Sequence, residues 1–310
     1  MFVLVMIMLL LFPSEAQEGA REGLMFALEN VIAAILPFAF LSGAMIFSGT
    51  AEKLGNIFAP LFKKLKMNPY GATAFVAGLL GGYPTGCNMA CQMYSEGLFD
   101  KEECEKIVSY TNNGGLIFAL NICGEMFGSK RAGALIFISS AISAFVAGLI
   151  FAKGNGEERL IHTKKLPFMA AMGKSIAASG SVLVNILSSF IVFYAVANAL
   201  SLYRIPFLQG VFEMTKGLGF AGEVCSIPLG AFFFSLGGAG IFAQSAAICS
   251  GYDVGLKRYA LCKIFQATLS FVITYMVVNR PFLGKDVILF SVLCVIAVVC
   301  AFKVIRRLCV

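Results

Sequence analysis

Long apolar segments without charges alternate with short charged stretches along this chain. No Asp, Glu, Lys or Arg occurs in residues 30–51, 67–95, 132–152, 175–203, 224–252, 264–279 and 287–302. A helix of ~20 apolar residues spans the hydrocarbon core of a bilayer. The pattern therefore predicts an all-α, polytopic helical membrane protein.

Composition agrees with that prediction and narrows the possible partners. The chain is 59% hydrophobic and 13% charged, with a mean hydropathy of +0.85, whereas soluble domains carry about 25% charged residues. The net charge of +7 lies in short clusters between apolar segments, as in the loops that set membrane orientation. A nucleic-acid surface would need a continuous basic face, so we expect a lipid bilayer and no nucleic acid.

The segment at residues 67–95 is broken at its centre by Gly81-Gly82-Tyr83-Pro84. Glycine costs about 1 kcal/mol and proline about 3 kcal/mol in a helix interior. A segment long enough to span the membrane but broken at its centre predicts a re-entrant helical hairpin. The alternative is a kinked helix whose glycines let a neighbour pack closely.

A second broken segment, residues 224–252, has the same uncharged length and a similar centre. Leu236-Gly237-Gly238 aligns with Leu80-Gly81-Gly82, and the same offset places Gln244 on Asn88. Such a pair in two halves of a chain is a pointer to a transporter's binding site. We predict two structural repeats, each with a hairpin, in inverted orientation; the alternative is a chance alignment of glycine-rich apolar segments.

The hydrophilic stretch after residue 152 divides the two predicted repeats. We assign residues 1–29 to an N-terminal apolar and amphipathic segment, 30–152 to repeat 1, 153–173 to a linker loop and 174–310 to repeat 2. His162 is interpreted as a solvated loop residue. Residues 1–12 fit a cleaved leader, a signal-anchor or a truncated helix.

Two hairpin tips that meet near the midplane would form a site for a polar or anionic ligand. Broken helices persist in a membrane only where protein or a water-filled cavity surrounds them, and helix N-termini carry partial positive charge. The alternative for each amide is a hydrogen bond between helices. The predicted substrate-binding residues are Gly82, Tyr83, Pro84, Thr85, Gly86, Asn88, Asn112, Asn113, Gly238, Gly240, Gln244 and Ser245.

Other chemistry finds little support in the sequence. Cys87 and Cys91 are four residues apart, but no histidine or second cysteine pair is near them, so we predict no metal site. No phosphate-binding loop and no paired nucleophile and base are found, so we predict neither an enzyme nor a cofactor. A coupling cation, Na⁺ or H⁺, is compatible with Glu125 or Glu223, although an interfacial position suits these carboxylates equally well.

Several motifs together resemble the nucleoside-recognition (Gate) domain of membrane proteins, and most closely the YlbJ-type sporulation integral membrane proteins. They are Gly82-Tyr83-Pro84-Thr85-Gly86, Tyr94-Ser95-Glu96-Gly97-Leu98, Thr111-Asn112-Asn113-Gly114-Gly115 and Ile35-Leu36-Pro37-Phe38-Ala39-Phe40. The resemblance implies a role in endospore formation at the outer forespore membrane, with dipicolinic acid as the transported solute.

The sequence therefore predicts an integral membrane permease for a small polar or anionic solute in a bacterial cell membrane. By resemblance, that solute is dipicolinic acid. A homo-oligomer is compatible with this interpretation. The alternative is a non-transporting membrane assembly protein needed for spore formation.

Overall fold

A computed structural model describes residues 2–152 and 165–279, and within these ranges the chain is helical without any strand. The predicted loop histidine, the last apolar segment and most of the predicted linker lie outside the described residues. The helices of the first half are α1 (Phe2–Leu11), α2 (Pro13–Phe26), α3 (Ala33–Phe47), α4 (Thr50–Lys64), α5 (Pro69–Gly81), α6 (Thr85–Ser95), α7 (Lys101–Thr111), α8 (Leu116–Phe118), α9 (Gly124–Met126) and α10 (Lys130–Phe151). Those of the second half are α11 (Phe168–Ala199), α12 (Pro206–Phe212), α13 (Met214–Glu223), α14 (Ile227–Leu236), α15 (Gly238–Ser250) and α16 (Lys257–Val278).

Within the described residues, four helical stretches are long and apolar enough to cross a membrane. They are Lys130–Phe151, Phe168–Tyr203, Ile227–Ser250 and Lys257–Val278. A fifth is added if the bent pair Pro13–Ile32 and Ile35–Phe47 counts as one span. The prediction of a polytopic helical membrane protein is confirmed, and the chain is an integral membrane protein.

The first broken segment folds as two short helices joined by Gly82-Tyr83-Pro84. Asn68 caps α5 by accepting a hydrogen bond from the Tyr70 nitrogen at 3.0 Å, as a side-chain oxygen does at many helix starts. Gly82 has a φ of +76° and a ψ of −171°, a conformation that is essentially reserved for glycine. α5 and α6 pack against each other on either side of the turn. Entry of this helix pair into the bilayer from one face stays a prediction.

The prediction of a hairpin in the second broken segment is wrong. α14 and α15 together form one candidate span of 24 residues, interrupted at Gly237, with a φ of +75° and a ψ of −24°, and at Gly238, with a φ of +76°. These two glycines with positive φ interrupt the hydrogen-bond ladder, but α14 and α15 still lie along one candidate span rather than folding back as a hairpin. The two predicted repeats, their inversion and the domain boundaries stay predictions.

The turn between α5 and α6 lies at the border of two buried apolar clusters. One cluster contains Cys87, Ile107 and Cys249, from α6, α7 and α15. The other contains Tyr83 together with Phe233 and residues of α10, α11 and α13. The Gly82–Pro84 turn is therefore in contact with both halves of the chain.

Candidate functional site

Three interruptions of the helices meet in the interior of the protein. The first is the turn at Gly82, and the second is the extended stretch at residues 112–115, between α7 and α8. A Cβ atom at Gly82 would lie 3.0 Å from the Gly115 nitrogen, so these two backbones are in direct contact. The third is the break after α14, where the Tyr83 hydroxyl lies 3.2 Å from the carbonyl oxygens of Phe234 and Ser235.

Tyr83 connects the first break to the third because its hydroxyl donates a hydrogen bond to the carbonyl oxygens at the end of α14. The last carbonyls of a helix have no partner within the helix, and an unpaired carbonyl inside a membrane protein is costly. A donor from another part of the chain satisfies them here. The predicted site residue Tyr83 therefore holds the two broken segments together.

Lys263 of α16 lies at the centre of this region and is buried, with 4% of its surface exposed. Its ammonium group donates hydrogen bonds to Tyr83 Oη at 2.9 Å, Asn113 Oδ1 at 3.3 Å and Gln266 Oε1 at 2.8 Å. It also lies 4.8 Å from the centre of the Tyr83 ring, within the range of a cation–π interaction.

No carboxylate forms an ion pair with Lys263 among the described residues. Three neutral oxygens and an aromatic ring surround it instead. A buried charge without a counter-ion is expensive, and ionisable residues within membrane proteins commonly mark the path of a substrate or an ion. This ammonium group could therefore pair with an anionic solute.

Asn112 and Ser245 provide a second link, on the other side of the extended stretch. The Asn112 amide nitrogen donates to Ser245 Oγ at 2.7 Å and to Tyr259 Oη at 3.0 Å. By contrast, the Asn113 amide nitrogen donates a hydrogen bond to the Tyr110 carbonyl oxygen at 2.7 Å. Both asparagines are fully buried, so the predicted Asn-Asn pair fixes the extended stretch between α15 and α16.

A pocket opens beside this network, with a volume of about 460 Å³ including its open mouth. Its polar lining comes from Tyr83 and Gln244, and Ile35, Phe118 and Phe190 contribute to its apolar wall. Gln244 donates to Ser189 Oγ at 2.6 Å, while its Oε1 atom has no hydrogen-bond partner. Most buried polar atoms are paired, so this oxygen is available to a ligand with a donor group.

The remaining predicted residues lie either at the edge of the site or outside its hydrogen-bond network. Thr85 starts α6 and has an unpaired hydroxyl, and a Cβ at Gly86 would lie 2.0 Å from the Thr111 carbonyl oxygen. Asn88 accepts a hydrogen bond from Gln92 and Gly240 packs beside Phe193. The last predicted residues are Pro84, which follows Tyr83 through a cis peptide bond, and Gly238, which packs beside the Val211 carbonyl.

A buried carboxylate lies close to the pocket, although the sequence analysis did not select it. Glu213 precedes Met214, a residue of the pocket wall, and accepts hydrogen bonds from Thr215 N and Oγ1, both at 2.6 Å. Tyr194 in turn bonds the Thr215 hydroxyl. Glu213 lies between the candidate spans, and burial raises its pKa from 4.5 to about 7, although the bonds from Thr215 act in the opposite direction. Glu125 and Glu223, the carboxylates considered for coupling, are exposed.

Sequence reasoning missed Lys263, Tyr259 and Gln266, which complete the site. Lys263 was interpreted as a charge that closes an apolar segment, because three other charged residues precede it. The spacing of these residues could have indicated the site. Tyr259 and Lys263 are four residues apart and Lys263 and Gln266 are three apart, and such positions share one helix face. A polar face on an otherwise apolar helix faces protein or water rather than lipid.

The chain is similar to a sporulation integral membrane protein. It is 22% identical to "Sporulation integral membrane protein YlbJ" of Bacillus subtilis (strain 168), over an alignment of 308 residues that covers 82% of this chain and 75% of the relative. No model of a protein family matches the chain, and no solved structure does. The resemblance to a sporulation membrane protein is thereby supported, while the Gate domain stays a prediction.

Proposed function

We propose that this chain is a permease for a small anionic solute, with a binding site built from the interrupted helices around Lys263. One observation carries the proposal. Lys263 is a buried lysine within a candidate span, it has no carboxylate partner among the described residues, and it shares Tyr83 with the pocket. An anion bound there would supply the missing counter-charge.

The depth of Lys263 supports a solute path rather than an interfacial anchor. It is the seventh residue of the 22-residue helix α16, which places it ~9 Å from the helix start at 1.5 Å per residue. A lysine at a helix end can extend its ammonium group to the membrane surface. The Lys263 ammonium group instead donates all three of its hydrogen bonds to oxygen atoms inside the protein.

The pocket favours a compact solute with an apolar body. Its wall is mostly apolar with two placed polar side chains, Tyr83 and Gln244, which is the usual lining of a small-molecule site. A flat aromatic acid matches one cation beside an apolar wall. Dipicolinic acid, the solute implied by the resemblance to sporulation proteins, has this chemistry, and we propose it as the first solute to test in a spore-forming bacterium.

Proton coupling is a natural extension because Glu213 adjoins the pocket wall. Its pKa of about 7 allows it to gain or lose a proton near neutral pH. We propose H⁺, rather than Na⁺, as the coupling ion. Conformational change at the nearby break of α14 and α15 would alter the burial of Glu213 and therefore its proton affinity.

The second candidate function is a membrane assembly protein that transports nothing. One observation favours it: all three donors of Lys263 are already satisfied by protein oxygens, so the network is complete without a solute. In that case the interrupted helices would form a static core, and the protein would act through partners in the envelope of the spore.

Uptake into proteoliposomes distinguishes the two candidates. The purified full chain is reconstituted, and the influx of labelled dipicolinate, a nucleoside and a neutral amide analogue of dipicolinate is compared with that of protein-free vesicles. The permease proposal expects saturable dipicolinate influx that the amide does not compete for. Influx equal to that of empty vesicles, with a correctly inserted protein, would contradict it and favour the assembly role.

A further inference from the structure

Three buried cysteines from the two broken segments meet beside the candidate site. Cys87 and Cys91 lie one helical turn apart on α6, and Cys249 lies near the end of α15. The Cys249 sulfur is 3.4 Å from that of Cys87 and 3.8 Å from that of Cys91, and all three sulfurs lie within 4.8 Å of one another. At most 1% of each residue is exposed.

These distances match the spacing of three thiolates around one metal ion. A metal–sulfur bond of ~2.3 Å places the sulfurs of a tetrahedral or trigonal site about 3.8 to 4.0 Å apart. The two distances from Cys249 are at or slightly below that spacing and the third pair of sulfurs lies within 4.8 Å, so small rotations of the side chains would bring all three sulfurs into the coordination sphere. Sequence reasoning predicted no metal site because no histidine or second cysteine pair lies near Cys87 and Cys91 in the sequence; Cys249, distant in the chain, was not considered.

We propose that Cys87, Cys91 and Cys249 bind one thiophilic d¹⁰ cation, of the Cu(I) or Zn(II) type, that links α6 to α15. Thiolate ligands select such ions, whereas Mg²⁺ and Ca²⁺ require oxygen ligands. No carboxylate or imidazole joins the group in the described part of the chain. Binding releases the thiol protons to solvent, and no electron is transferred.

Charge balance supports a site at this position. Three thiolates with one divalent cation carry a net charge of −1, which is costly in an apolar interior without compensation. Lys263 would offer such compensation from across Tyr259, since its ammonium nitrogen lies 5.7 Å from the centre of the Tyr259 ring. The site would therefore connect the two broken segments without relying on solute transport.

Metal stoichiometry of the purified, reduced protein tests this proposal. The full chain in detergent is loaded separately with Cu(I), Zn(II) and Cd(II), dialysed, and its metal content determined by elemental analysis. A variant that keeps only Cys87, Cys91 and Cys249 is expected to retain one ion per chain. Cadmium adds a thiolate charge-transfer absorption, and the comparison of copper with zinc identifies which type of ion is held.

Single substitutions supply the matched control. Cys249→Ser is expected to weaken binding by about tenfold or more, whereas Cys123→Ser, at a buried cysteine outside the cluster, leaves it unchanged. If Cys249→Ser does not fold, metal protection of Cys249 against alkylation is measured in the wild-type protein by peptide mapping. Equal binding by both variants, failure of the three-cysteine variant to bind any of the three ions, or alkylation of Cys249 unaffected by metal would overturn the proposal.

Discussion

The breaks at the centres of the two apolar segments begin with the same residues, Leu-Gly-Gly, but the structures of the two segments differ. After Gly82 the chain continues with Tyr83 and Pro84, and the helices on either side pack against each other. In the second segment Gly237 and Gly238 both have positive φ, but α15 starts at Gly238 and the segment remains one candidate span. The comparison shows that the glycines permit a break, whereas the residues that follow them decide whether the chain reverses.

The residues that contact the two breaks also differ. The first break contacts the extended stretch at residues 112–115, where backbone meets backbone. At the second break, a Cβ at Gly237 would meet side-chain atoms of Ile241 and Tyr83, and Gly238 adjoins the turn between α12 and α13 that contains Glu213. A Cβ at Gly238 would also meet backbone, 3.0 Å from the Val211 carbonyl oxygen, so the two breaks differ at Gly237, where the neighbours are side chains.

The largest expected effect follows from this difference. Gly82→Ala places a Cβ 3.0 Å from Gly115 N in a glycine-only conformation and should lower the free energy of unfolding by ~3 kcal/mol. Gly237→Ala, whose new neighbours are flexible side chains, should cost about 1 to 2 kcal/mol. Thermal unfolding in detergent checks both. Gly180→Ala, in open space on α11, is the control, and equal losses for Gly82→Ala and Gly237→Ala would break the comparison.

The stability that Glu213 contributes beside the second break should depend on pH. The pKa of Glu213 is raised, so the folded protein holds a proton between pH 4.5 and about 7 that the unfolded chain releases. Stability should therefore fall as pH rises through that window, by up to ~3 kcal/mol in total. Glu213→Gln should remove this component, because its amide stays neutral.

Unfolding midpoints across this pH range, compared with those of Glu223→Gln at an exposed position, isolate the contribution of Glu213. Among the neighbouring charged groups, Lys216 pairs with Glu22 at 2.7 Å. If Glu213→Gln and the wild type lose stability in parallel as pH rises, the carboxyl is not the group that titrates.

A smaller effect is expected for the link between the two breaks. Tyr83→Phe removes the hydroxyl that contacts the α14 carbonyls and Lys263, which should cost about 1 to 3 kcal/mol because buried groups lose their partner. Tyr203→Phe, at an exposed tyrosine, should be neutral. An unfolding midpoint for Tyr83→Phe equal to that of the wild type would show that the two breaks are held together by packing alone.

The first break could be predicted from the sequence because its cause is local. Gly82 and Pro84 disfavour a helix wherever they occur. Asn112 and Asn113, selected as clustered amides beside glycines inside apolar sequence, are buried in protein, as expected for backbone breaks within a membrane; their role in binding stays a prediction.

The rest of the site depends on tertiary contacts that no local pattern encodes. In the sequence, the Gly237-Gly238 break looks like the tip of a second hairpin. Lys263 resembles an interfacial lysine until the fold places Tyr83 and Asn113 around it. Cys249 becomes a neighbour of Cys87 only because α15 packs on α6.

The central claim is that Lys263 binds the transported anion, and one measurement tests it most directly. Initial rates of dipicolinate uptake into proteoliposomes are compared for the wild type, Lys263→Gln and Lys257→Gln, the last at an exposed position on the same helix. We predict that Lys263→Gln lowers uptake by about tenfold or more, as the loss of ~1.4 kcal/mol of anion binding implies, and that Lys257→Gln changes it less than about twofold. Equal uptake by all three proteins, each correctly inserted, would contradict the account.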